Sequence, residues 1–121
     1  PAVVPIIKGE TVYKFYGDGS AVMGFNGEFR PLLAEMNMHL PRFGFRFAVK
    51  GGCEKMEYFG KGPVETYCDR HRGARFGMFE TSVTDNFVHY IRPIENGSHF
   101  ASVYGKVSDG KNAIEFAPIG D

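Results

Sequence analysis

The run MEYFGKGPVETYCDR, residues Met56–Arg70, places a strand, a turn and a cluster of polar side chains in immediate succession. Met56–Phe59 is mostly apolar, and with Lys55 it reads as a strand over Lys55–Phe59. Gly60, Gly62 and Pro63 then force a tight turn. Glu65, Asp69 and Arg70 follow, with Tyr67 between them. A second run, YIRPIENG at Tyr90–Gly97, sets Arg92, Glu95 and Asn96 around a proline and before a glycine. Polar groups carried on two loops, each leaving a strand, can meet and satisfy one another as a buried or half-buried lock. The same groups could instead form a ligand surface.

The rest of the chain reads as short extended pieces. Val3–Ile7 is apolar but broken by Pro5, so it suits an edge strand or a lead-in. Thr11–Tyr16 alternates, with Val12 and Lys14 on one face and Tyr13 and Phe15 on the other. Asp18-Gly19 signals a turn, and Ala21–Phe29 can return as the hairpin partner. Pro31–His39 is ambiguous between an irregular loop and a short helix. Arg42–Val49 reads as a strand with Phe43, Phe45 and Phe47 on one face, and those three rings are expected in the core. Gly51-Gly52 marks a turn, Arg72–Phe79 a strand, Thr81–Asn86 a polar loop, and Phe87–Ile91 a short extended piece. Phe100–Val107 and Asn112–Ala117 form a hairpin about Asp109-Gly110. The pattern predicts an all-β fold, an antiparallel β-sandwich, with no helix long enough for a βαβ unit.

Composition narrows the function classes. The chain has 121 residues, enough for one domain, and 43% are apolar, including 12 Phe and 6 Tyr. Lys plus Arg and Asp plus Glu are 14 each, which gives no support to a nucleic-acid or anionic-membrane surface. No run approaches a transmembrane span. Cys53 and Cys68 read as free, reduced thiols. His39, His71, His89 and His99 are scattered without ligand spacing, so no metal site is expected. Strand-like sequence lies close to both ends, so an excised piece of something longer is expected.

Several chemical readings compete. Gly17, Gly19 and Gly24 lack the basic residue of a phosphate loop. Cys68 and His71 are near in sequence, but a nucleophile and base are recognised by geometry. A glycosidase needs two carboxylates about 5 Å apart for retention, or wider for inversion. Glu65, Asp69 and Glu95 are the triplet in plausible clefts, yet Arg70 and Arg92 beside them suit ion pairs better than a general acid. Tyr58, Tyr67, Tyr90 and Tyr104 could stack on sugar faces, or they are core residues whose hydroxyls reach the rim.

Three blocks, LPRFGFRFAV (Leu40–Val49), Met56–Arg70, and GMFETSVTDNFVHYIRPIENGSH (Gly77–His99), together with the DGS turn at Asp18–Ser20, resemble the C-terminal domain of bacterial β-galactosidases of glycoside hydrolase family 2. The match runs over roughly Tyr13 to Gly110. It falls on Gly60, Gly62, Pro63, Glu65, Tyr67, Asp69 and Arg70, and on Tyr90, Pro93, Glu95, Asn96, Gly97 and His99. Relatives often have Trp where this chain has Tyr58 and near Tyr104, and His and Asn where it has Val64 and Thr66. The resemblance implies a galactose-mutarotase-like super-sandwich, with residues 1–121 as a single partial β-sandwich domain of a larger multidomain enzyme. It implies a parent that hydrolyses terminal non-reducing β-D-galactosides with retention, its two catalytic glutamates lying in a separate TIM barrel.

On that reading this chain holds no catalytic, cofactor-binding or metal residue. Mg²⁺ and Na⁺ or K⁺ in such enzymes sit mainly at the barrel. Glu65, Tyr67, Asp69, Arg70, Tyr90, Arg92, Glu95, Asn96 and His99 are then lock residues or sugar contacts. Loss of Arg70 would leave a buried carboxylate unpaired, at a cost of about 3–5 kcal/mol. The expected partners are the barrel, the β-galactoside indirectly, and a second copy through open sheet edges. The expected compartment is bacterial cytoplasm or periplasm. The rival readings are a stand-alone carbohydrate-binding module using Tyr67, Tyr90 and His99, and a mutarotase-like enzyme using His99 and Glu95.

Overall fold

The structure, a computed structural model, describes residues 5–30, 40, 42–92 and 94–120. The ambiguous Pro31–His39 stretch, Val3, Val4 and Pro93 lie outside the described residues. Six strands and no helix are found among those described, and every strand pairing is antiparallel. The all-β antiparallel class read from the sequence is the class observed. The chain divides into two compact units, Pro1–Arg46 and Phe47–Asp121.

The first unit is a hairpin of β1 (Ile7–Phe15) and β2 (Ala21–Phe29), in register from Phe15 opposite Ala21 to Ile7 opposite Phe29. Asp18 makes the turn. Its Oδ1 accepts from the Ser20 amide at 2.9 Å and the Ser20 hydroxyl at 2.7 Å, and Gly19 supplies a φ of +88°. Alternation and register gather Ile7, Tyr13, Phe15, Met23, Phe25 and Phe29 on one face and leave Lys8, Glu10, Lys14 and Glu28 on the other.

Arg42–Val49, predicted as a strand, forms no ladder. Phe43, Phe45 and Phe47 are 55%, 43% and 47% exposed, so they are not the core expected of them. Their shared parity still has a use. Phe43 packs edge-on against Phe25 at 5.0 Å and Phe29 at 6.1 Å, and Phe45 against Tyr13 at 6.3 Å. In the second unit Phe47 meets Phe116 at 5.5 Å. Alternation reports which side chains share a side; it does not supply the neighbouring backbone that a ladder needs.

The second unit is a sheet of order β4-β3-β5-β6, built from β3 (Lys55–Gly62), β4 (Arg75–Ser82), β5 (Tyr104–Ser108) and β6 (Ala113–Phe116). Asp109 turns β5 into β6, accepting from the Lys111 and Asn112 amides at 2.8 and 2.7 Å. Tyr58 on the central strand is the one buried apolar residue among those described, at 2% exposure. It stands opposite Phe79 on one side and Gly105 on the other. Its ring lies 5.4 Å from Phe79 and stacks on His99 at 3.7 Å and 20°, while its hydroxyl donates to the Pro63 carbonyl at 3.1 Å. Two glycines make this possible. A Cβ at Gly60 would come within 2.3 Å of Ser102 Oγ, and one at Gly62 within 2.3 Å of the Tyr58 hydroxyl. Phe59 and Phe76 meet edge-on at 4.7 Å, and Glu57 pairs across the sheet with Lys106 at 3.1 Å.

Candidate functional site

Beyond β3 the chain turns at Pro63 and enters a two-residue hairpin of its own. Tyr67 and Arg70 exchange both main-chain hydrogen bonds at 3.0 Å, with Cys68 and Asp69 as the turn. This puts the Tyr67 and Arg70 side chains next to each other, and the guanidinium carbon lies 5.0 Å from the Tyr67 ring centroid. The preceding residue, Thr66, is buried and anchors the loop. Its amide donates to the Ser98 carbonyl at 2.7 Å, its hydroxyl donates to the Lys61 carbonyl at 3.2 Å, and the same oxygen accepts from the Phe100 amide at 2.8 Å. Thr66 therefore ties the 95–100 segment to the loop after β3.

Glu65 is the centre of the cluster. Its side chain is 8% exposed. Oε1 accepts from Arg70 Nη2 and from the Tyr90 hydroxyl. Oε2 accepts from the Gly97 amide at 2.9 Å and faces the Tyr67 hydroxyl at 3.2 Å. That hydroxyl also donates to the Glu95 carbonyl at 2.9 Å. Arg70 Nη2 lies 2.8 Å from the Tyr90 hydroxyl and the guanidinium carbon 5.9 Å from the Tyr90 ring. Three donors converge on the two oxygens, and the Tyr67 hydroxyl shares its one proton between Oε2 and the Glu95 carbonyl, so little of the carboxylate's lone-pair capacity is left open. Burial, then the hydrogen bond and charge of Glu65, push the Tyr67 phenol above its ordinary range and keep it a donor.

The second arm of the network runs through Asn86. Its Nδ2 donates to the Gly97 carbonyl at 2.9 Å, so its Oδ1 is the atom facing His99 Nε2 at 2.8 Å. That assigns the ring proton to Nε2. Nδ1 is buried without a hydrogen-bond partner. Burial lowers the imidazole below its ordinary value; the Lys61 main chain and the Glu65 charge act the other way and are outweighed. Asn96 Nδ2 donates to the Val88 carbonyl at 3.1 Å.

The residues singled out in the sequence fall into two groups. Glu65, Tyr67, Arg70 and Tyr90 are brought into one cluster by side chain; Glu95 joins it through its carbonyl, and Asn96 and His99 hold the adjoining segment. Asp69 is exposed in the turn, and Arg92 is exposed and makes no hydrogen bond among the described residues. Glu65 takes its guanidinium from Arg70 and not from Arg92. Thr66 and Asn86 are equally part of the assembly without a strong sequence signal for it, while Gly97, from the family pattern, and Tyr58, read as core or sugar platform, take their places beside them. A threonine between two site residues and an asparagine closing a polar loop carry weak signals, because their partners are main-chain groups. No group of three His, Cys, Asp or Glu side chains converges on a metal position among the described residues.

Comparison with known proteins adds the family. The chain matches the family described as Beta galactosidase small chain over residues 2–118. The chain belongs to that family. As a β-galactosidase small-chain member it is 36% identical over 110 residues to the Beta-galactosidase of Actinobacillus pleuropneumoniae, covering 87% of this chain and 10% of that protein. It is 34% identical over 109 residues to the Beta-galactosidase of Staphylococcus xylosus, covering 90% and 11%. It is 31% identical over 114 residues to the Beta-galactosidase of Lactobacillus delbrueckii subsp. bulgaricus, covering 94% and 11%. The small-chain segment thus spans about a tenth of the length of these relatives. No solved structure matches it.

Proposed function

We propose that this chain is a non-catalytic β-sandwich portion of a β-galactosidase, within its C-terminal galactose-mutarotase-like domain, and that it supports the catalytic barrel and the mouth of the pocket. The parent would hydrolyse terminal non-reducing β-D-galactosides with retention, through carboxylates that this chain does not carry. The observation that carries this reading is the saturation of Glu65. A general acid or nucleophile must present an oxygen to the substrate. Both oxygens of Glu65 are already spoken for by Arg70, Tyr67, Tyr90 and the Gly97 amide.

The same contacts support a structural role over a stand-alone sugar-binding module. A stacking platform needs an open ring face. Arg70 lies against Tyr67 and Tyr90, and Tyr58 lies against His99. The mutarotase-like reading would need His99 as a base; with Nε2 donating to Asn86, the free lone pair is on Nδ1, and that atom is buried away from any sugar.

The test is Glu65→Gln in the full-length protein, assayed on a chromogenic β-galactoside with the melting temperature measured on the same sample. The expected result is a lower melting temperature with kcat per folded molecule nearly unchanged. A kcat loss of about a thousandfold at an unchanged melting temperature, the signature of a group acting only in the transition state, would refute the proposal.

A further inference from the structure

Two Asn-Gly pairs occur in the chain, Asn26-Gly27 in β2 and Asn96-Gly97 beside Glu65. We propose that Asn96-Gly97 is a latent deamidation site, and that the polar cluster holds it silent by fixing both reacting groups.

The reaction joins neighbouring groups of one chain. The Gly97 nitrogen loses its proton to hydroxide and attacks the side-chain carbonyl carbon of Asn96. The amide nitrogen leaves as ammonia, and a cyclic imide forms. Water opens the imide at either carbonyl and yields an aspartate or an isoaspartate linkage. The net change is asparagine plus water to aspartate plus ammonia, with nothing oxidised or reduced. Glycine in the second position leaves the attacking nitrogen unhindered.

Here both partners are tied. The Gly97 N–H points to Glu65 Oε2 at 2.9 Å, and a neighbouring negative charge opposes loss of that proton. The Asn96 amide is held on the Val88 carbonyl at 3.1 Å. The Gly97 carbonyl is held by Asn86 at 2.9 Å. Reaction therefore requires a local opening in which Gly97 leaves Glu65.

Nor can the fold remove the hazard by changing the glycine. Gly97 has a φ of +72°, and a Cβ there would lie 2.8 Å from Asn86 Nδ2. Once formed, the product does not fit its old place. A carboxylate at position 96 would meet the Val88 carbonyl acceptor to acceptor, and an isoaspartate linkage would lengthen the main chain between the Glu95 carbonyl and the Gly97 amide, both of which the cluster uses.

The experiment incubates the full-length protein at mildly alkaline pH and follows Asn96 and Asn26 by peptide mapping, with the urea-unfolded protein giving the unprotected rate. Removing a hydrogen bond to a charged group should raise the open population, and hence the Asn96 rate in Glu65→Gln, by about tenfold or more. The Asn26 rate should not move. A fall or no change at Asn96 overturns the proposal; a fall would mean that Glu65 promotes the reaction as a base. If Glu65→Gln does not fold, Arg70→Lys serves instead: its Asn96 rate should rise in proportion to hydrogen exchange at the Gly97 amide, and a rate that ignores that exchange also overturns the proposal.

Discussion

Glu65 sets the energetics of the cluster, and the consequences differ for each partner. Arg70 is 55% exposed, and Glu65 keeps the Tyr90, Tyr67 and Gly97 donors if the guanidinium is removed. Arg70→Ala should therefore cost about 1–3 kcal/mol, the range for losing hydrogen bonds to a charged group, and not the larger loss expected from sequence for an unpaired buried carboxylate. Glu65→Ala strips an acceptor from three side chains and a half-buried amide at once, so it should be the more damaging of the two in a chemical melt. The reverse order would mean that the guanidinium, and not the carboxylate, organises the cluster. His99 adds a pH dependence. Its folded value lies below the ordinary 6.5, so the unfolded chain binds the proton more readily. Its contribution is complete above pH 6.5 and is lost as pH falls from there toward the lower folded value. The difference between wild-type and His99→Phe melts should accordingly shrink on acidification from pH 8 to about 5, and a constant difference would contradict a neutral, buried imidazole.

At the level of the elements, close approach decides which glycines matter. Gly60→Ala would press a methyl within 2.9 Å of the Ser102 Cα, and a backbone atom cannot swing aside as a side chain can. A loss of about 1–3 kcal/mol is expected, the usual range for overpacking. Gly77 on the neighbouring strand meets Phe79 only at 3.6 Å, an ordinary contact, so Gly77→Ala should stay within about 0.5 kcal/mol of wild type. Comparable thermal melts for the two would mean that the Ser102 segment yields. The elements also show where sequence is legible. Asp18-Gly19 and Asp109-Gly110 are hairpin turns because the aspartate satisfies nearby donors and the glycine takes a positive φ, all within a few residues. Arg42–Val49 misleads because its alternation is real but its ladder partner is a non-local fact. In the cluster, Glu65, Tyr67, Arg70 and Tyr90 are readable as charged and aromatic groups on two loops. Thr66 and Asn86 are not, since their work is done on carbonyls and amides that no side-chain pattern advertises.

For the molecule as a whole, the balance of surfaces is the main physical fact. Tyr58 is the sole buried apolar side chain described, while Phe15, Phe29, Phe76, Met78 and Phe87 stand exposed. A two-stranded hairpin with one aromatic face is marginal in water without something against that face. Expressed by itself, the 121-residue chain should self-associate and bind a hydrophobic dye, and the full-length protein should do much less of either. Sedimentation velocity on the isolated chain would measure this; a monomer that binds no dye would mean that these faces are tolerated in water.

The turn between Tyr67 and Arg70 has one further use. It carries Cys68 exposed at its tip, whereas Cys53 is partly covered. A maleimide fluorophore should therefore attach first at Cys68, one residue from a phenol of the cluster. Its brightness or anisotropy would then report, in real time and within the assembled protein, each occasion on which that corner of the molecule lets go.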